Sequence, residues 1–263
     1  MAMSPRLQPG CKLRRGSSSA AAPLRAGTGH SFLAPDPHPP VRIGYVLLRR
    51  GSDVAAAALR AGAVPSFLGY FGYPASICTS VNEQVVHGIP NRRVLREGDI
   101  VSIDTGCRVN GWCGDAAVTL AIGAVRPEVQ KLLDVTSETL NLAIRAMGRC
   151  QTWLEVASLM ERYVKSQGMY VVEKFVGHGI GQTMHEEPQV PNFVSKSLRK
   201  FDIKLEPGVV LAIEPMVSLG TKEVRTLDDG WTVETKDRRF SAHFEHTVAM
   251  TPEGPRVLTY LED

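Results

Sequence analysis

The chain has 263 residues, of which 43% are hydrophobic and 22% charged, and a formal net charge of +3. These are ordinary values for one large globular domain, or one domain plus a tail. The small positive surplus does not argue for a nucleic-acid or membrane-surface partner, and no apolar run approaches the ~20 residues of a membrane-spanning helix. The five cysteines, Cys11, Cys78, Cys107, Cys113 and Cys150, contain no C-x-x-C pair and are expected as free thiols in a reducing compartment.

Residues 1–50 differ in composition from the rest. They carry a triple serine (17–19), a triple alanine (20–22) and a Pro-rich run (34–40), and Arg6, Lys12, Arg14, Arg15 and Arg25 all precede the first acid, Asp36. Such a stretch reads either as an organellar transit peptide or as a disordered tail or a stretch outside the true start of the gene. The composition predicts a tail over 1–50, with residues 51–263 as the folded domain and the cytoplasm as its location. A short Ala-rich helix is expected over 52–63 with Ser52 as N-cap. A longer one opens at Pro127, with Val129, Leu132, Leu133, Leu140, Ala143, Ile144 and Met147 on one face. A third opens at Thr152, with Glu155 completing a capping box, and stops at Gly168; Leu154, Ala157, Met160 and Val164 form its buried stripe. Strand-like runs cover Ile100–Val109, Trp112–Ile122, 170–176, Val209–Val217 and Phe240–Met250. Strands before and after the helix pair predict an α+β domain.

Five residues carry the chemistry: Asp104, Asp115, His178, Glu214 and Glu245. Each lies in an apolar or Gly-rich stretch, where a lone ionised group is costly and normally neutralises or finds a cation. Asn110-Gly111 is the strongest two-residue hairpin signal. With a two-residue loop there, Asp115 faces Gly106 and Ala117 faces Asp104. Both aspartates then share one face a diagonal step apart, within reach of a metal pair separated by ~3.5–4 Å. The same register sends Cys107 and Cys113 to opposite faces. Glycines around His178 expose its imidazole, and Glu214 and Glu245 sit in the middle of apolar strands. A carboxylate-rich N/O set suits Mn, Fe, Co or Zn, and its oxygen bias also admits Mg. His87 and His185 add two further imidazoles; each alone is a weak signal.

The segments 69–90, 98–115, 175–188, 205–215 and 229–247, with HGIP, an Asp-x10-Asp hairpin, GHGIG…HEEPQV, AIEPM, DGWTVETKDRR and FEHT, closely resemble type I methionine aminopeptidases. The resemblance covers roughly residues 55–260 and is weaker toward prolidases and Xaa-Pro aminopeptidases. It implies a pita-bread fold, with two pseudo-symmetric αβ halves around a dinuclear metal centre. It further implies that Asp104 chelates one of two divalent ions (Co, Mn, Fe or Zn), that Asp115 and Glu245 bridge both, and that His178 and Glu214 complete the other. His87 would lie near the peptide nitrogen after the scissile bond, and His185 would bond the substrate carbonyl. Tyr70, Tyr73, Cys78, Met184 and Trp231, with Phe67 at the edge, would hold the methionine side chain.

The implied reaction is removal of the N-terminal methionine ahead of a small second residue, by water activated at two metals, with Glu214 shuttling the proton. The implied substrates are peptides and nascent chains, with possible ribosome proximity, no membrane or specific nucleic-acid partner, and a monomeric protein. An Xaa-Pro peptidase and a catalytically silent binding protein of the same fold are the alternatives. Departures from the family's pattern are expected in a shortened N-terminal half, which would leave apolar sheet surface uncovered, and at Cys113 and Ala116 beside Asp115. Phe67 and Met184, at positions of variable size, would reshape the pocket.

Overall fold

The expected hairpin forms, in the expected register, and the main sheet is built outward from it. The computed structural model describes residues 58–260. Its strands are β1 (Ala63–Pro65), β2 (Cys78–Val81), β3 (Gln84–Val86), β4 (Ile100–Val109), β5 (Trp112–Ala121), β6 (Tyr170–Val171), β7 (Gly177–Gly179), β8 (Glu186–Val190), β9 (Val210–Ile213), β10 (Met216–Ser218), β11 (Val224–Thr226), β12 (Val233–Thr235), β13 (Ser241–His243), β14 (Glu245–Thr251) and β15 (Gly254–Val257). Its longer helices are α1 (Pro127–Met147) and α2 (Trp153–Ser166), followed by the short α3 (Lys196–Lys200). The large sheet runs β1-β4-β5-β14-β9-β7-β8, with β2 also on β4 and β15 also on β14; two three-stranded sheets, β13-β10-β6 and β11-β12-β3, complete the β structure. The α+β expectation therefore holds.

In the β4–β5 hairpin Asp104 faces Ala117 and Gly106 faces Asp115, as the Asn-Gly turn dictates. Asn110 and Gly111 both take positive φ (50° and 88°), as a type I′ turn needs. Cys107 faces Gly114 and Arg108 faces Cys113, so the two cysteines project to opposite sides.

Alternation along the central strands separates core from site. On β9, Leu211 and Ile213 join Val248 of β14 in a cluster with Leu140 and Met147 of α1 and Trp153 and Met160 of α2. The intervening Ala212 belongs to another apolar cluster, with Phe67, Tyr73, Cys78 and Met184. The helices thus cover one face of the sheet, and the functional residues occupy the other. Helix α1 starts at Pro127 and buries the face its spacing predicts. Helix α2 has Thr152 as N-cap, but the full capping box does not form: the Thr152 side chain makes no capping bond. Instead Glu155 accepts the Gln151 N–H at 2.8 Å, Asp202 accepts the Leu154 N–H at 2.9 Å, and the Ile203 carbonyl accepts the Trp153 N–H at 2.8 Å. The segment at 202–203 satisfies the orphan donors that the hydroxyl leaves. Gly168, at φ 75°, lies just past the helix end.

Four expectations need correction. The helix expected over 52–63 ends at Arg60 within the described residues, because Gly62 turns the chain at φ 75° and Ala63 pairs with Val109 as strand. Ser52 and the tail over 1–50 lie outside the described residues. The run over 170–176 forms only β6, and the next strand begins at Gly177. The runs Val209–Val217 and Phe240–Met250 each break in two. Pro215, which has no N–H for the ladder, ends β9, and the chain crosses to a small sheet as β10. Beside it the returning chain leaves that sheet after β13 and re-enters the large sheet as β14, with β10 paired to β13 and β9 paired to β14.

The outer face of the hairpin carries exposed Val109, Trp112, Val118 and Leu120. Trp153 is fully buried, and its indole N–H donates to the Pro191 carbonyl at 2.8 Å. Trp153→Ala is expected to cost about 3–5 kcal/mol, measured as a lower midpoint in chemical denaturation.

Candidate metal centre

Two rows of side chains cross the large sheet on its inner face. In the first, Cys78 faces Asp104, Asp104 faces Ala117, and Ala117 faces Glu245. Glu214 follows Ile213, whose partner is His246, so the row points on toward it. In the second, Gly106 faces Asp115, and further along the sheet Ala212 faces both Thr247 and His178. Small residues at 117 and 212 separate the carboxylates and the imidazole, and the space over Gly106 is taken by Met184 Cε and Phe67 Cε1.

The glycines flanking His178 have a steric cause. A Cβ on Gly177 would sit 2.3 Å from the Ala212 carbonyl oxygen, and one on Gly179 would sit 2.4 Å from the Glu187 carbonyl oxygen. Only glycine permits β7 to lie this close to its neighbours.

The five predicted residues converge. One ligand atom each from Asp115, His178 and Glu245 lie within 4.8 Å of one another. His178 Nε2 is 3.9 Å from Asp115 Oδ2 and 3.7 Å from Glu214 Oε1. Asp104, Asp115, His178 and Glu245 are buried, and the Glu214 side chain is 14% exposed. Asp104 Oδ1, Asp115 Oδ1 and Glu245 Oε1 are buried without a hydrogen-bond partner. Orphaned carboxylate oxygens facing a shared space fit cations as ligands.

The electrostatics agree. Burial, followed by the charge of Asp115, holds the Asp104 carboxyl well above its ordinary range. Burial raises Asp115 to about 7. Burial, and then the charges of Asp115 and Asp104, raise Glu214; burial, then Asp115, Glu214 and Asp104, raise Glu245. Without cations these four acids resist ionising together. Burial lowers the pKa of His178, keeping the imidazole neutral and able to ligate.

The centre forms the floor of a cavity of about 310 Å³ whose walls include Phe67, Tyr70, Tyr73, Cys78, His87, His185 and Trp231. Tyr73 and Trp231 meet edge to face with ring centroids 5.0 Å apart, and the Tyr73 hydroxyl donates to the Gly88 carbonyl at 3.0 Å. His87 holds a positive φ of 59° and packs its ring against Phe175. His185 lies 4.1 Å, ring to ring, from His178 and stacks on Tyr70. Its pKa is lowered by partial burial and by the fields of His178 and His87.

Met184 is buried in the apolar cluster with Phe67, Tyr73, Cys78 and Trp231, and its methyl group fills the space over Gly106; it is not among the residues that line the cavity. The main chain of Asp115 is held from the neighbouring strand. The Thr247 hydroxyl accepts the Asp115 N–H and donates to the Asp115 carbonyl, both at 2.9 Å.

Sequence reasoning missed two groups. Val86, Lys174, Phe175 and Val176 also line the cavity, and their proximity to His87 and His178 in the chain was the available signal. The second is His243, fully buried, with Nε2 3.7 Å from Glu214 Oε2 and 3.9 Å from Glu245 Oε2. Its spacing of two from Glu245 was the clue, since residues two apart in an extended chain share a side.

Comparison with known proteins bears on the same residues. A model of metallopeptidase family M24 matches residues 46–252, starting before the expected domain boundary at 51. A methionine aminopeptidase of Clostridium perfringens is 47% identical over 74% of this chain and 77% of its own length. The crystal structure of methionine aminopeptidase from Rickettsia prowazekii superposes with a TM-score of 0.77 at 32% identity, covering 81% of this chain and 86% of that one. A prolidase from Pyrococcus furiosus, 21% identical with a TM-score of 0.63 over 82% of this chain and 56% of its own, shares the fold. The chain therefore belongs to metallopeptidase family M24, and within that family to the type I methionine aminopeptidases.

Proposed function

We propose that this protein is a metal-dependent aminopeptidase that releases methionine from peptides and nascent chains whose second residue is small. The observation that carries the reading is the convergence of four carboxylates and an imidazole on the floor of an apolar, aromatic-walled cavity. In this reading Asp104, Asp115, His178, Glu214 and Glu245 hold two divalent cations, of a kind suited to N/O ligands: Mn, Fe, Co or Zn. When bound, such ions lower the pKa of water and polarise a carbonyl, and the free amino group of a substrate is a further ligand for them.

The chain's own groups do the rest. Glu214 takes a proton from the attacking water on a carboxylate oxygen and returns it to the amide nitrogen as the C–N bond breaks. His185, neutral near pH 7, donates to the carbonyl oxygen as negative charge develops there. His87 faces the nitrogen on the leaving side. Phe67, Tyr70, Tyr73, Cys78 and Trp231 hold the methionine side chain, because aromatic rings and sulfur suit a thioether. Met184 shapes this pocket from behind. The protein acts as a monomer in the cytoplasm within reach of the ribosome, with no membrane or specific nucleic-acid partner.

Methionine release from Met-Ala-Ser, with and without added Mn or Co, tests the reading directly; preferential cleavage of an Xaa-Pro peptide would contradict it. Asp104→Asn removes a donor and is expected to lower release by more than about 100-fold. Gly106→Ala is a finer probe, because its Cβ would fall 2.2 Å from Met184 Cε and 2.9 Å from Phe67 Cε1. It is expected to raise KM for methionyl peptides by about tenfold, and an unchanged KM would remove this wall from the pocket.

Metal binding also carries a pH signature. Because burial raises the carboxyls, Asp115 to about 7, they hold protons near neutrality that cations must displace. Co(II) affinity is expected to fall as pH drops through about 7, with proton release visible as a buffer-dependent heat in titration calorimetry.

A further inference from the structure

His243 lines no part of the cavity, yet its ring is directed at two of the proposed ligands. Its main chain is fixed at both polar atoms by one side chain: the Thr119 hydroxyl donates to the His243 carbonyl at 2.7 Å and accepts its N–H at 2.9 Å. Nε2 is buried without a hydrogen-bond partner, an arrangement that native proteins rarely leave unused. It stands 3.7 Å from Glu214 Oε2 and 3.9 Å from Glu245 Oε2. The other oxygen of Glu214, Oε1, stands 3.7 Å from His178 Nε2. Glu214 is thus a carboxylate between two imidazoles, one for each oxygen, with His178 on the cavity side and His243 behind.

We propose that His243 is the positioning residue of Glu214: a neutral imidazole with its proton on Nε2 points it at Oε2, 3.7 Å away, and donates to it once the carboxylate is ionised, which keeps Oε1 turned toward His178. The same N–H faces Glu245, so one ring steadies two neighbouring carboxylates. This inference rests on the reading of Glu214 and Glu245 as ligands. Carboxylates must be ionised to bind cations, and an ionised Oε2 attracts an N–H and repels a bare nitrogen lone pair, which fixes the tautomer. The outward atoms of metal ligands are commonly held by such partners.

The test compares the wild-type chain with His243→Leu and His243→Gln, reading Co(II) affinity by calorimetry and kcat and KM on Met-Ala-Ser. His243→Leu is expected to weaken at least one Co(II) site about 10–100-fold and to lower kcat with little change in KM. His243→Gln, whose amide N–H can still donate, recovers most of both. Unchanged Co(II) affinity in His243→Leu, or a His243→Gln variant no better than it, overturns the proposal. A measurement without any variant stands beside these. In 15N-histidine-labelled, Zn(II)-loaded wild-type protein, His243 Nε2 should carry a proton in long-range 1H–15N spectra; an unprotonated, metal-shifted Nε2 would make it a direct ligand and overturn the positioning role. Wild-type protein that takes up no Co(II) overturns the metal centre itself, whereas uptake that is indifferent to residue 243 overturns only this inference.

Discussion

Four carboxylates brought together in a buried space make a demand that the rest of the structure is arranged to meet. Asp104, Asp115, Glu214 and Glu245 each have raised pKa values because burial and their neighbours' charges oppose ionisation. A protein built only for stability would replace such a cluster with apolar side chains of similar volume. Here the cluster is retained, and the sheet around it is cut to fit: Ala117 separates Asp104 from Glu245, Ala212 lies beside His178, and Gly106 stands opposite Asp115. The small residues concede packing so that the polar groups can face one another.

Support for the cluster comes from outside it. Thr247 holds the main chain of Asp115 from the neighbouring strand, and its own N–H is held by Thr259 at 3.2 Å. Thr119 pins His243 while its hydroxyl also bonds that of Ser102 at 2.8 Å. Hydroxyls thus bridge strands around the acids, where a uniform backbone ladder would leave no room for the breaks at Glu214 and Phe244. Such support fixes the backbone from which the acidic side chains project.

Much of this was legible in the sequence because local rules sufficed. Asn110-Gly111 fixed one register, and that register placed Asp104 and Asp115 on one face. Pro127 and Gly168 marked real helix ends. What was not legible depended on the tertiary fold. The runs containing Glu214 and Glu245 read as single strands, since nothing local to Phe240–Met250 shows that it will change sheets beside Pro215. The cap of α2 is supplied by residues about fifty positions away. Met184 packs over Gly106, a contact between β4 and the loop after β7 that no local pattern announces. His243 stood beside a recognised motif and drew no notice on its own.

The central place of β14 in the sheet, between β5 and β9, has a consequence for synthesis. Its first residue is Glu245, whereas Asp104, the earliest of the five proposed ligands, is synthesised far sooner. A growing chain therefore carries the β4–β5 hairpin, with Asp104 and Asp115, well before the strand that lies beside it in the sheet has been made. In the proposed reading, a copy cut short before β14 lacks Glu245 and offers an incomplete set of donors.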